Sequence, residues 1–122
     1  MLWIVIVLVC LVLAMLIFLF PVIQVCGDSM FPTFNDGDII IGCRLFSLTP
    51  KNIYIYRPPI GQKYVIKRLN RVSPVTGNLF FEGDNKDCSY DSRMYGYVNR
   101  EQVVAKYIFT IYRKENDENG CK

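Results

Sequence analysis

The chain has 122 residues, a formal net charge of +3 and no histidine. The missing imidazole excludes a Ser-His-Asp triad, a Cys-His pair and a histidine-ligated zinc site. A proton acceptor working near neutral pH must therefore be a lysine, carboxylate, cysteine or tyrosine whose pKa is shifted by its surroundings. The length favours one domain. The small positive charge, with no basic cluster interleaved with aromatic residues, predicts no nucleic-acid partner.

The N-terminal 25 residues are apolar except for Gln24, and no charged residue precedes Asp28. Residues 1–20 rise 1.5 Å each in a helix, which is enough to cross the ~30 Å hydrocarbon core of a bilayer. A cleaved secretory signal would need a basic start, a shorter apolar core and a small-residue cleavage site, and the segment has none of these. We therefore predict a retained single-pass anchor over residues 1–25, with a buried core helix and a cleaved signal as alternatives.

The orientation of this anchor stays open. Every lysine and arginine follows the apolar segment, which by the positive-inside rule would favour a cytoplasmic C-terminal part. The rule is weak for long domains, which cross membranes largely regardless of their charge. Charge alone therefore does not orient the chain.

Short runs of β-branched and aromatic residues dominate the remainder of the chain, with Pro-Pro and Pro-x-x-Gly turns between some of them. No long pattern with the 3.6-residue period of a helix occurs beyond the anchor. We expect a mainly β fold, a small barrel or folded sheet, over residues 26–112. A polar tail over residues 113–122 is expected to fray. The predicted strands cover residues 38–43, 52–57, 63–69, 79–81 and 102–112.

Ser29 is the first candidate for a chemical role, because it lies in Gly-Asp-Ser-Met-Phe-Pro-Thr just beyond the anchor. Gly27 permits unusual backbone angles and Pro32 restricts the chain after the serine. Such a turn could expose the hydroxyl and leave backbone N–H groups facing an oxyanion. Taken alone, the segment is more typical of an ordinary turn after a helix.

Lys67 is the candidate base for that hydroxyl. Strand alternation places it on the same face as Val65 and Leu69, and an apolar face lowers the pKa of an amine by desolvation. An ordinary solvated lysine is the alternative. Farther along, residues 83–93 form a polar loop rich in hydroxyls, carboxylates and basic groups. This loop could orient a neutral lysine through a hydroxyl and be held by an Asp–Arg pair.

These segments together resemble the type I signal peptidases, membrane-anchored serine proteases with a Ser–Lys dyad. Ser-Met-Phe-Pro-Thr at residues 29–33, followed by Gly-Asp at residues 37–38, is similar to the family's first motif. Tyr-Val-Ile-Lys-Arg at residues 64–68 is similar to its lysine motif. Residues 83–98 are similar to its last motif, Gly-Asp-Asn-(Arg/Lys)-x-x-Ser-x-Asp-Ser-Arg-x-x-Gly-x-Val, which spans 16 positions.

The resemblance implies a role for each matching residue. Ser29 would attack the scissile carbonyl, and neutral Lys67 would accept and later return a proton. Ser89 would position the lysine, and Asp91 with Arg93 would support the site. The Ser29 backbone N–H would form part of the oxyanion hole; some relatives place a serine two residues before the nucleophile as a second donor, and Gly27 stands there in this chain.

The resemblance also implies a substrate and a location. The substrate would be the end of a signal peptide on an exported precursor, bound as an added strand. No cofactor or metal is expected. A lysine rather than a histidine at the base position resembles bacterial or organellar members, so we expect a bacterial plasma membrane or an organellar inner membrane with the catalytic domain on the non-cytoplasmic side. Only 14 residues separate Arg68 from Gly83, which leaves no room for the large second domain of some relatives.

Two other functions stay open. Self-cleaving repressors also use a Gly-Asp-Ser-Met turn and a Val-x-Lys-Arg strand, but the apolar anchor and the motif at residues 83–98 are not typical of them. A catalytically inactive scaffold or assembly protein that crosses the membrane once is the non-enzymatic alternative. Intact Ser29 and Lys67 favour an enzyme over it.

Overall fold

The computed structural model describes residues 1–61 and 64–115. An apolar helix precedes a six-stranded sheet in which all hydrogen-bonded neighbours are antiparallel, which confirms the predicted mainly β fold. The elements are α1 (Leu2–Leu19), β1 (Val22–Gln24), β2 (Ile39–Cys43), β3 (Ile53–Tyr56), β4 (Val65–Val72), β5 (Leu79–Glu82), α2 (Ser92–Tyr95) and β6 (Val103–Tyr112), with single 3-10 turns at Lys86–Cys88 and Arg100–Gln102.

The strands lie in the order β1-β2-β6-β3-β4-β5. Strand β6 is the last strand in the described part of the chain, yet it lies in the middle of the sheet between β2 and β3. It therefore joins a half built from β1 and β2 to a half built from β3, β4 and β5. The five predicted strands agree with β2 to β6 within a few residues at each end; the predicted first residue of the third one, Lys63, lies outside the described residues.

Helix α1 is shorter than the predicted apolar segment of residues 1–25. It has 18 residues and none of its side chains is buried in the domain, so it could be a membrane anchor. It ends at Leu19 because Pro21 has no backbone N–H to continue it and because residues 22–24 form β1, which pairs with β2. The backbone N–H of Arg44 donates to the Leu19 carbonyl at 2.9 Å, so the helix ends directly on the sheet.

Two apolar clusters occupy opposite faces of the sheet. The adjacent residues Ile53 and Tyr54 of β3 belong to different clusters, as expected from side chains that alternate between faces. The larger cluster contains Tyr54, Tyr56, Leu69, Leu79, Phe81 and Val98. The second contains Val25, Met30, Phe34, Ile40 and Ile53. Since Met30 follows Ser29 directly, the second cluster holds the backbone of the candidate nucleophile in place.

The predicted tail differs from expectation at its start. The backbone N–H of Lys114 donates to Asp38 at 2.8 Å, and the Lys114 carbonyl accepts from the Asn35 side chain at 2.9 Å. These two hydrogen bonds tie the chain to the loop before β2, so Lys114 is not frayed. Residues 116–122 of the predicted tail lie outside the described residues.

Replacing Phe81 with alanine should destabilise the domain by about 3–5 kcal/mol, because it leaves a cavity in the larger cluster. Phe81 is fully buried, and its ring stacks on Tyr56 with centroids 4.2 Å apart. Urea unfolding in detergent, followed by circular dichroism, measures the change in the free energy of unfolding. Val75→Ala is the control, since Val75 is 90% exposed; equal stability of the two variants would contradict this account of the core.

Candidate active site

The loop between β1 and β2, residues 25–38, carries Ser29 and is called the Ser29 loop below. Its two ends are joined by the backbone, since Val25 N–H donates to the Asp38 carbonyl and Gly37 N–H donates to the Val25 carbonyl, both at 2.8 Å. Gly27 N–H donates to the Asp36 carboxylate at 2.7 Å. These hydrogen bonds close the loop at its base and restrain the backbone that carries Ser29.

The structure brings Ser29 and Lys67 together. Nζ of Lys67 lies 2.5 Å from Oγ of Ser29, although the residues are 38 positions apart in the chain. Lys67 projects from β4 and is 5% exposed. Its strand neighbours Val65 and Leu69 pack in the larger apolar cluster, as the alternation predicts. A serine hydroxyl in contact with a buried amine is the geometry that proton transfer between them requires.

Burial lowers the pKa of Lys67 from 10.5 to about 8. The charge of Asp91 acts in the opposite direction and raises the pKa, but it is the weaker influence. Among residues 1–61 and 64–115, the carboxylates in ion pairs are Asp84 and Asp91, and both pair with arginines. A pKa of about 8 leaves about a tenth of the Lys67 amines neutral at pH 7, and a neutral amine can accept the Ser29 proton.

Asp91 is the centre of the hydrogen bonds beside Lys67. It is fully buried and accepts from Gly83 N–H at 2.8 Å, from the Ser89 hydroxyl at 2.6 Å and from Nε of Arg93 at 3.0 Å. Burial alone would raise the pKa of Asp91, but the hydrogen bonds from Arg93, Ser89 and Gly83 outweigh it and hold the pKa below its usual value. Asp91 is therefore a charged carboxylate whose hydrogen-bond donors are Gly83, Ser89 and Arg93 rather than Lys67.

Ser89 differs from its expected contact. Its hydroxyl donates to Asp91, and the hydrogen bond that Lys67 makes in the described part of the chain goes to Ser29. The ion pair between Asp91 and Arg93 forms as the motif predicts. The side chain of Arg93 also donates to the Lys86 carbonyl at 2.8 Å, which closes the polar loop over residues 86–93.

Asp84 is a site residue to which the sequence analysis assigned no role. Arg68, the neighbour of Lys67 on β4, donates to it twice, at 2.8 and 2.7 Å, and the Thr33 hydroxyl of the Ser29 loop also donates to it. Burial alone would raise the pKa of Asp84, but the hydrogen bonds from Arg68 and Thr33 lower it. Asp84 thus links the strand of the base to the loop of the nucleophile. Arg68, Asp84 and Thr33 all lie inside the motifs quoted above. Their place in those motifs is the signal that could have identified them as site residues.

Residues 83–85 hold the Ser29 loop directly through the backbone. The Asn85 N–H donates to the Ser29 carbonyl at 2.9 Å, and the Asn85 side chain donates to the Asp28 carbonyl at 3.0 Å. A Cβ on Gly83 would lie 2.5 Å from the Ser29 carbonyl oxygen and closer still to the Ser89 hydroxyl. Only glycine allows this close approach of the two loops.

The structure reduces the number of candidate donors to the oxyanion hole expected near Gly27. Gly27 N–H is already bonded to Asp36, so it is not available as the second donor. The Ser29 N–H makes no backbone hydrogen bond with the residues that the structure describes, which leaves it available to a substrate oxygen. Gly27 has a φ of +88°, a conformation that favours glycine over the serine found at this place in some relatives.

An open cleft of about 630 Å³ leads to the serine and the lysine. Its lining includes residues 23–26, from β1 and the start of the Ser29 loop, and residues 64–67, which are Tyr64 and the first residues of β4. Tyr90 and Tyr95 also line it. An open cleft lined by strand residues can hold an extended peptide. In residues 1–61 and 64–115 there is no cluster of three histidine, cysteine, aspartate or glutamate residues that could hold a metal ion.

An apolar N-terminal helix, a small mainly β domain and a buried lysine in contact with a serine hydroxyl together indicate a candidate serine hydrolase. Residues 70–112 match the family described as "Signal peptidase, peptidase S26". The match supports the resemblance to the type I signal peptidases and thus a serine peptidase. It contains Ser89, Asp91 and Arg93 but begins after Ser29 and Lys67. No curated protein matches the chain.

The lowered pKa of Lys67 can be measured without any substrate. With the lysine Cε atoms labelled by ¹³C, one resonance should titrate near pH 8 in the NMR spectrum, well below the usual lysine range. Lys67→Arg should remove this resonance and leave the others in place. If every lysine titrates near pH 10, the amine is solvated and unsuited to act as a base.

Proposed function

We propose that the protein is a membrane-bound serine endopeptidase of the signal peptidase I type, which cleaves signal or leader peptides from exported precursor proteins. The observation that carries the proposal is the 2.5 Å contact between the Ser29 hydroxyl and the buried Lys67 amine. The family match over residues 70–112 supports the same reaction class.

The reaction follows from this contact. Neutral Lys67 accepts the proton of Ser29 as Oγ attacks the carbonyl carbon of the scissile bond. The Ser29 N–H stabilises the negative oxygen of the tetrahedral intermediate. When the carbon–nitrogen bond breaks, the Lys67 ammonium donates its proton to the leaving amine, and the N-terminal part of the substrate stays on Ser29 as an ester. Water, deprotonated by Lys67, then hydrolyses the ester and restores the free serine.

Asp91 and Arg93 support the base without taking part in proton transfer. Because the Asp91 carboxylate is saturated by Arg93, Ser89 and Gly83, it does not draw the Lys67 amine away from Ser29 into an ion pair. Ser89 acts on the lysine through Asp91 in this arrangement. The lysine-positioning role of Ser89 is retained in the proposal on the strength of the motif, with this indirect route.

The attachment of the sheet to α1 fits a substrate that is itself held in the bilayer. Arg44 of the segment after β2 donates from Nε to the Phe18 carbonyl at 2.7 Å, and its guanidinium lies over the Phe18 ring. Ser29 follows Leu19 by only ten residues, so the cleft lies near the helix end. We infer a single-pass protein of a bacterial plasma membrane or an organellar inner membrane, with the catalytic domain on the non-cytoplasmic side.

A non-enzymatic membrane scaffold is the second candidate function, and a self-cleaving repressor is the third. Burying a lysine amine costs folding free energy. A scaffold has no function that would require this desolvated lysine beside a serine. A repressor would cleave its own chain rather than a separate precursor. Cleavage of a precursor added in trans distinguishes the proposed function from both.

Ser29→Ala and Lys67→Ala should each reduce precursor cleavage at least about 1,000-fold, because residues that act as a unit lose nearly the whole rate when one is removed. The assay uses the full chain in detergent or lipid with a precursor that carries a signal peptide, followed by gel mobility and mass spectrometry of the new N-terminus. Ser47→Ala and Lys51→Ala are the matched controls, since both residues are exposed. Full activity in either site variant removes the dyad assignment.

The rate should rise with pH as Lys67 loses its proton. The base form has the lower proton content, so kcat/KM should increase about tenfold per pH unit below about 8 and become constant above it. At pH 6 only about 1% of the limiting rate should remain. A rate that is constant from pH 6 to 9 would contradict a lysine base, and a stable fold over this range is verified by circular dichroism.

A further inference from the structure

The chain that follows β6 makes three hydrogen bonds with the Ser29 loop. The backbone N–H of Lys114 donates to Oδ1 of Asp38 at 2.8 Å, and Nδ2 of Asn35 donates to the Lys114 carbonyl at 2.9 Å. Nη2 of Arg113 donates to the Pro32 carbonyl at 3.1 Å. These contacts join residues that are 76 to 81 positions apart in the chain.

Asp38 accepts the hydrogen bond from the Lys114 N–H. It belongs to the Gly-Asp pair at residues 37–38, which is part of neither the candidate dyad nor the cleft lining. It is 1% exposed, and its second oxygen accepts from the Asn35 N–H at 2.8 Å. A buried carboxyl group needs hydrogen-bond donors to be tolerated. Among residues 1–61 and 64–115, the Lys114 N–H is one of two donors to the Asp38 side chain. Losing it would leave Oδ1 of Asp38 without a donor from this part of the chain.

The side chain of Lys114 adds a packing contact to the polar ones. Its Cδ would lie 2.7 Å from a Cβ at Gly37, which has a φ of +92°. The aliphatic part of Lys114 therefore covers Gly37 directly, at the point where the Ser29 loop returns to β2.

The Ser29 loop is consequently held by two separate parts of the chain. Asn85 bonds the backbone at Asp28 and Ser29, whereas Arg113 and Lys114 bond it farther along, between residues 32 and 38. Without the second set of bonds, the loop after Ser29 would keep the hydrogen bonds at its own base. Its described hydrogen bonds to other parts of the chain would then be those that Thr33 and Met30 make with Asp84. A displacement of about 1 Å between reacting groups can cost about 100-fold in rate.

We propose that the segment Arg113–Lys114 is a positioning element for the nucleophile: it holds the Ser29 loop through Asp38 and Pro32 so that the Ser29 hydroxyl stays within reach of Lys67. This inference rests on the proposed function for its effect on rate, whereas its effect on the loop is independent of catalysis. It makes activity depend on residues that follow the last strand of the sheet.

Two substitutions at one position test the proposal. Lys114→Pro removes the backbone donor to Asp38, whereas Lys114→Ala keeps the donor and removes only the side chain. In the full chain in detergent or lipid, kcat for precursor cleavage should be about tenfold lower in Lys114→Pro than in Lys114→Ala, a modest part of what misplacement can cost. KM should agree within about twofold and the pH midpoint should stay near 8, because neither the cleft nor Lys67 is altered. Arg113→Ala, which removes one bond, should lower kcat about threefold.

Hydrogen–deuterium exchange gives a readout that needs no activity. Amides of residues 28–38 should exchange about tenfold faster in Lys114→Pro than in Lys114→Ala, while those of β4 stay unchanged. Equal kcat and equal exchange in the two variants would overturn the proposal. So would faster exchange throughout the sheet, since the contact would then stabilise the whole fold rather than the loop. If the unaltered protein cleaves no precursor, or Ser29→Ala still does, the proposed function fails while the exchange comparison still decides the role of Lys114.

Discussion

The proposed chemistry rests on the burial of one amine, that of Lys67, against the hydroxyl of Ser29. A lysine that acts as a base must be desolvated strongly enough to lose its proton near neutral pH. It must also not be paired with a carboxylate, because an ion pair would keep it charged. The structure meets both conditions by placing Lys67 among apolar neighbours on β4 and by giving the nearby Asp91 other partners. The Ser29 hydroxyl then remains as the polar neighbour of the amine.

The two carboxylates beside the site, those of Asp84 and Asp91, show how an ion pair with Lys67 is avoided. Asp91 is bonded by Arg93 and Ser89, and Asp84 is bonded by Arg68 and Thr33. Both have pKa values below the usual range because of these bonds, so both remain charged. Arginine suits this role, since its fork of donors can occupy both oxygens of a carboxylate. The basic groups that pair with Asp84 and Asp91 are thus arginines, which is what the proposed role of Lys67 as a base requires.

The position of Ser29 depends on contacts that converge from distant parts of the chain. The Ser29 loop leaves β1, packs Met30 and Phe34 into an apolar cluster, and returns to β2. Asp84 and Asn85 hold one part of it, and the chain after β6 holds another. Because β6 lies in the middle of the sheet, the segment that follows it is delivered to the side of the sheet where β2 begins; Ile39 of β2 pairs with Tyr112. The order of strands therefore decides which residues can restrain the nucleophile.

The features that depend on local pattern were predictable from the sequence. An uninterrupted apolar run predicted α1, and short runs of β-branched and aromatic residues predicted β2 to β6. Three motifs predicted roles for Ser29, Lys67 and the Asp91–Arg93 pair. Which groups meet depended on the folded chain. It brings Ser29 to Lys67, links Arg68 through Asp84 to Thr33, bonds Ser89 to Asp91 and attaches Lys114 to the Ser29 loop. Strand β1 fell within the predicted anchor, because three residues directly after an apolar helix are too few to show a strand pattern of their own. Periodicity reports which side of an element faces the core, whereas the partner of a polar side chain depends on how distant segments are brought together, and that depends on the order of strands in the folded sheet.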